Sequence, residues 1–162
     1  RIYLNKRKFG SLEEMKKDWQ KDIDNGFHPE GTSESAILYH EMAHQMDSFL
    51  TQVLRKDDLQ QHWGNRKNIS TVILEEVSKN LGISQDDVKA EVSKYAQKRA
   101  SVDAYDDRTI ITSGFYNGYD VEFFAEAMAE YIGSKKPRRV AVEVWSCLQK
   151  YIQQADGKEL ER

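Results

Sequence analysis

Two imidazoles and a carboxylate stand in one short string of this 162-residue chain, His40-Glu41-Met42-Ala43-His44. On a helix, residues i and i+4 project from the same face about one turn apart, so both rings can reach a single divalent ion. Imidazole binds zinc at roughly 2.0–2.1 Å, a reach that this spacing suits. Glu41 follows the first ring directly and turns aside from the metal axis, the place for a general base acting on a metal-activated water. A motif with so few fixed positions arises by chance, and its context decides. Both histidines fall on an otherwise apolar helical stripe, where an unpaired imidazole carries a desolvation cost that a metal removes.

A catalytic zinc keeps three protein ligands and one open position, so a third ligand is required. The string Glu122-Phe123-Phe124-Ala125-Glu126-Ala127-Met128-Ala129-Glu130 offers it. Glu122 and Glu126 lie one helical turn apart among apolar neighbours, and carboxylates on a partly buried face want a cation or a hydrogen-bond donor. Glu122 is expected as the ligand, with Glu126 fixing one histidine ring from behind the metal. Spacing alone leaves the reverse assignment open. Asp47, three residues after His44 on the same face, is expected to make a supporting or helix-packing hydrogen bond. Glu130 reads as a solvated helix residue, and His28 and His62, in predicted loops, read as surface groups. Two imidazoles and one carboxylate in a tetrahedral site favour Zn2+ over Mn2+ or Co2+.

The elements that must position these groups are mostly helical. Ser11, with Glu14 three residues on, forms a capping box ahead of Leu12, Met15, Trp19 and Ile23 on one face, and Gly26 is a natural stop. Residues 27–32 hold Pro29 and Gly31 and read as a loop. Residues 33–54 lack Pro and Gly and carry the motif on the stripe Ala36, Ile37, His40, Ala43, His44, Asp47 and Leu50. Residues 69–80 form an amphipathic segment before Gly82, and Ser84 with Asp87 caps another predicted to reach about Arg99. Asp120 is expected to cap a helix over residues 121–132, with Gly133 ending it and Pro137 opening a last helix to about Gln154. Ile2-Tyr3-Leu4 and Thr109-Ile110-Ile111-Thr112 read as short strands.

Composition sets the outer bounds. A chain of 18.8 kDa with 39% hydrophobic and 31% charged residues is an ordinary folded protein, and residues 1–162 are expected to form a single domain. The net charge of −3 and the short, interrupted Lys/Arg runs do not favour nucleic-acid binding. No stretch approaches the length of a spanning helix, so no membrane partner is expected. The lone Cys147 excludes an internal disulfide and reads as a small buried residue. The absence of an initiator Met suggests a domain cut from a longer chain.

The string Tyr39-His40-Glu41-Met42-Ala43-His44-Gln45-Met46-Asp47, the Gly26-Phe27-His28-Pro29-Glu30-Gly31 turn before it and Glu122-Phe123-Phe124-Ala125-Glu126-Ala127 after it resemble the lethal-factor-like zinc peptidases. They resemble more closely the zincin domains of phage minor head, or head-morphogenesis, proteins and related mobile elements. Together with Lys136-Pro137-Arg138 before the last helix, the resemblance covers most of the chain. It implies a mainly helical α+β zincin-like domain with a small edge β-sheet, and Glu122 as third zinc ligand. It also implies a tyrosine seven residues before that Glu as oxyanion donor. That position is Phe115 here; either Tyr116 or Tyr119 could take the role after a small loop shift, and it is assigned to Tyr116. The expected activity is peptide-bond hydrolysis on a peptide or protein substrate, in a bacterial cytoplasm or associated with a virion. The alternative is a zinc-stabilised assembly module acting with phage or mobile-element structural proteins; a secreted effector is a third reading.

Overall fold

The structure, a computed structural model, describes residues 10–54, 68–97 and 120–160. Six helices and no strand are present among the described residues: α1 (Leu12–Asp24), α2 (Ala36–Leu54), α3 (Ile69–Leu81), α4 (Gln85–Val92), α5 (Val121–Gly133) and α6 (Arg139–Leu160). The protein is thus mainly helical, and both predicted strands, at residues 2–4 and 109–112, lie outside the described residues. No described helix is long and apolar enough to cross a membrane.

Helix α5 sits at the centre, because a helix apolar on nearly every side must be enclosed on every side. Residues 123–130 are all buried, and α2, α3, α4 and α6 all pack against it. Its most extensive partner is α2. Ala36 on α2 and Ala129 on α5 are both buried and share a cluster with Trp19 of α1. Small residues there let the two backbones approach and bring their side chains to a common point. The other side of α5 meets Val140, Val144, Cys147 and Leu148 of α6, and Ile73, Leu74 and Val77 of α3 complete the main core. Cys147 is buried, and its desolvated thiol is pushed up to about 12, so it behaves as core filling.

The capping logic read from sequence operates at the start of α1. Ser11 Oγ accepts from Glu14 N at 3.2 Å, and Glu14 Oε2 accepts from Ser11 N at 2.8 Å. Helix α3 is capped differently, by another helix. Asn68 makes no side-chain cap, while Asp47 Oδ1 of α2 accepts from Ser70 N at 2.7 Å and Thr51 Oγ1 from Ile69 N at 3.0 Å. An anionic oxygen among unpaired N–H groups at a helix start gains from both hydrogen bonding and the dipole. Asp47 is therefore a helix-packing residue that locks α3 onto the motif helix.

Three expectations change. Helix α4 stops at Val92 rather than continuing to Arg99, because Ser93 is extended (φ −170°, ψ 166°) and its hydroxyl serves tertiary contacts. Asp120 makes no cap bond; its carboxylate instead accepts from Thr71 Oγ1 at 2.8 Å and pairs with Lys89 at 2.7 Å. Glu130 is buried rather than solvated. The Arg138 fork reaches it with two bonds of 2.8 Å and also donates to the Val92 carbonyl at 2.7 Å, so the charge is compensated.

Candidate metal centre

The crossing of α2 and α5 places three potential ligand atoms around one point. His40 Nε2 and His44 Nε2 are 3.0 Å apart, and Glu122 Oε2 lies 3.1 Å from the first and 3.6 Å from the second. Ligands at about 2.0–2.1 Å from a tetrahedral zinc stand about 3.3–3.4 Å from one another, so these three atoms outline one face of such a site. Glu122 Oε2 is buried, and its polar neighbours His40 Nε2 and His44 Nε2 meet it as ion pairs without well-formed hydrogen-bond geometry. A buried carboxylate oxygen needs a positive partner, which protonated His40 supplies in the metal-free protein and a bound metal ion could supply in its place. These are the only described side chains whose His, Cys, Asp or Glu ligand atoms converge in a group of three.

Behind His40 the second carboxylate completes the arrangement. Glu126 Oε1 lies 2.9 Å from His40 Nδ1, so the ionised carboxylate accepts a hydrogen carried on Nδ1 and leaves Nε2 facing Glu122 and His44. The two glutamates thus divide between the two nitrogens of one ring, Glu122 at Nε2 and Glu126 at Nδ1. Glu126 is itself buried and also accepts from Ser93 Oγ at 3.1 Å. Burial pushes its carboxyl up, and donation from His28 and His40 more than offsets this, holding it below the usual carboxylate range.

The metal-free electrostatics follow from the same contacts. Burial works against a charged His40, but Glu122 and Glu126 outweigh it and raise its pKa to about 9. Burial likewise opposes a charged Glu122, and the two imidazoles bring it down to about 2. Asp47 is raised by burial, with the Ser70 hydrogen bonds pulling the other way. Glu41 follows His40 on α2 and is exposed.

His28, read from sequence as a surface group, is the residue most clearly misplaced. Its Nδ1 lies 3.1 Å from Glu126 Oε2, and its ring stacks on Trp19 at 4.0 Å between centroids and 9° between planes. Tyr95 also contributes, with its ring 5.8 Å from both His40 and His28. The sequence offered one signal: a buried carboxylate has more acceptor positions than a single histidine can fill. Tyr116, Tyr119, Phe115 and His62 lie outside the described residues. No protein-family model, curated protein or solved structure matches this chain.

Proposed function

We propose that this domain is a zinc-dependent metallopeptidase with the zincin-like fold and small edge sheet that its resemblance to lethal-factor-like and phage head-morphogenesis zincins implies. One observation carries the reading: three ligand atoms of a peptidase-type donor set converge at about the spacing of a tetrahedral face. His40, His44 and Glu122 would hold the ion, and Glu126 orients His40 through Nδ1. A zinc ion there supplies Lewis-acid activation of a water and of the scissile carbonyl. Glu41 takes the proton from the attacking water, the water oxygen bonds to the carbonyl carbon, and the C–N bond breaks as Glu41 returns the proton to the leaving amine. Tyr116 is assigned as donor to the oxyanion.

A structural zinc is closed by four protein ligands, whereas a catalytic one keeps a position for water. The described residues supply three candidates, and whether the fourth position holds water or a further protein ligand is what separates the enzyme from the assembly module. A peptide-library cleavage assay on the zinc-loaded domain tests the choice, with Glu41→Gln as control. The variant is expected to bind zinc and lose cleavage by about 10²–10⁴-fold. Retained turnover would remove Glu41 as base, and zinc binding without any cleavage by the unaltered domain would favour the assembly role with phage or mobile-element proteins. A cytoplasmic or virion-associated setting belongs to the same proposal.

A further inference from the structure

A third histidine is wired to the centre from outside it. Glu126 is shared: Oε1 faces His40 Nδ1 at 2.9 Å, and Oε2 faces His28 Nδ1 at 3.1 Å and Ser93 Oγ at 3.1 Å. An ionised carboxylate only accepts, so each of these nitrogens carries its hydrogen toward Glu126. Without His28, one side of the carboxylate would rest on a single hydroxyl, and the group could turn about its side-chain bonds and carry the His40 ring with it.

The loop bearing His28 is built to keep that ring still. Gly26 closes α1 with φ +68°, a conformation that a side chain disfavours, and turns the chain back toward α5. Its carbonyl accepts from Lys94 N at 2.9 Å, and the Phe27 carbonyl accepts from Tyr95 N at 3.2 Å, tying the turn to the segment that supplies Ser93. Trp19 lies flat against the imidazole, and its Nε1 donates to Thr32 Oγ1 at 3.3 Å, farther along the same loop. Thr32 in turn donates to the Pro29 carbonyl at 2.7 Å. A ring stacked on a fixed indole has little freedom to rotate, so its Nδ1 is a pre-set donor.

We propose that His28, held by Trp19, is a positioning residue that fixes Glu126 and through it aims His40 Nε2 at the metal. This rests on His40, His44 and Glu122 binding zinc, and it adds that the site extends to the loop before α2. Loss of an outer partner of a ligand histidine weakens metal binding by about 10- to 100-fold.

The test compares two amides at position 28. Asn places its side-chain N–H₂ near the site of Nδ1, whereas Gln places it near Nε2, where it cannot serve Glu126 in the same way. Zinc dissociation constants are measured by competition with a chromophoric chelator, together with the visible absorption of the Co2+-loaded protein and the Tm of the metal-free form. His28→Gln and His28→Ala are expected to bind zinc about 10- to 100-fold more weakly with an altered Co2+ band, and His28→Asn to recover most of the affinity. In combination with Glu126→Gln, the His28→Gln loss should largely vanish, because both act through one carboxylate. Equal zinc affinities and Co2+ spectra for the Asn and Gln variants would overturn the proposal, as would losses that simply add. If His28→Ala does not fold, the Asn and Gln pair decides alone. Failure of the unaltered domain to bind zinc would instead sink the metal site itself.

Discussion

In the proposed site, proton and metal would compete at His40. Its pKa of about 9 in the metal-free protein lies above the 6.5 of a free imidazole, so its charged contacts stabilise the fold fully below about pH 6.5. That contribution is lost as pH rises through about 9. Glu122, lowered to about 2, shows the same interaction from the acid side: its share is present above about pH 4.5 and disappears as pH falls toward 2. These are two views of one contact and are not summed. Zinc needs the Nε2 lone pair, so its apparent affinity should climb by up to about tenfold per pH unit between roughly 6.5 and 9, then level. Zinc titrations at several pH values, alongside Tm of the metal-free domain, check both trends, which run in opposite directions. Glu122→Gln should abolish tight zinc binding, since an amide oxygen carries no charge to balance the ion. A zinc affinity equal to that of the unaltered protein would exclude Glu122 as ligand.

Between helices, the decisive contacts are polar groups that one element lends to another. Asp47 and Thr51 of α2 cap α3, and Ser70 Oγ adds a bond to Asp47 Oδ2 at 3.2 Å. Replacing Asp47 by Ala leaves the buried N–H and hydroxyl of Ser70 without their acceptor and should cost about 1–3 kcal/mol by chemical denaturation, with the zinc stoichiometry unchanged. An unaltered unfolding midpoint would show that Asp47 does not hold α3. The helices themselves were legible because their signals are local: Ser11 with Glu14, Gly26, Gly82, and the period of α2 and α5. The motif histidines and Glu122 were legible for the same reason, since each sits on a strongly patterned helix. What escaped depends on distant partners. Glu130 looked solvated because Arg138 answers it from beyond the helix end, eight residues on. His28 looked like a loop surface because its carboxylate lies 98 residues away. Ser93 looked helical because propensity does not register a hydroxyl drawn out of the helix by Glu126.

At the scale of the whole molecule, the proposed zinc site would tie the centre of the fold together by joining α2 to α5. With zinc at about a thousand times its dissociation constant, the folded state gains about 4.1 kcal/mol. For a domain of this size, removing the ion with a strong chelator should lower Tm on the order of 10 °C, and re-addition should restore it. A chelator-insensitive Tm in a protein shown to hold zinc would mean that the ion does not brace the two helices. The separation between residue 44 and residue 122 also dictates when such a brace can form. Unlike a finger whose ligands sit within one short loop, this proposed clasp would close across a long excursion of chain and is expected to form late on the path to the native state. Zinc should therefore leave the refolding arm of a chevron plot almost untouched and depress the unfolding arm, making the metal a lock on the exit rather than a guide to the way in.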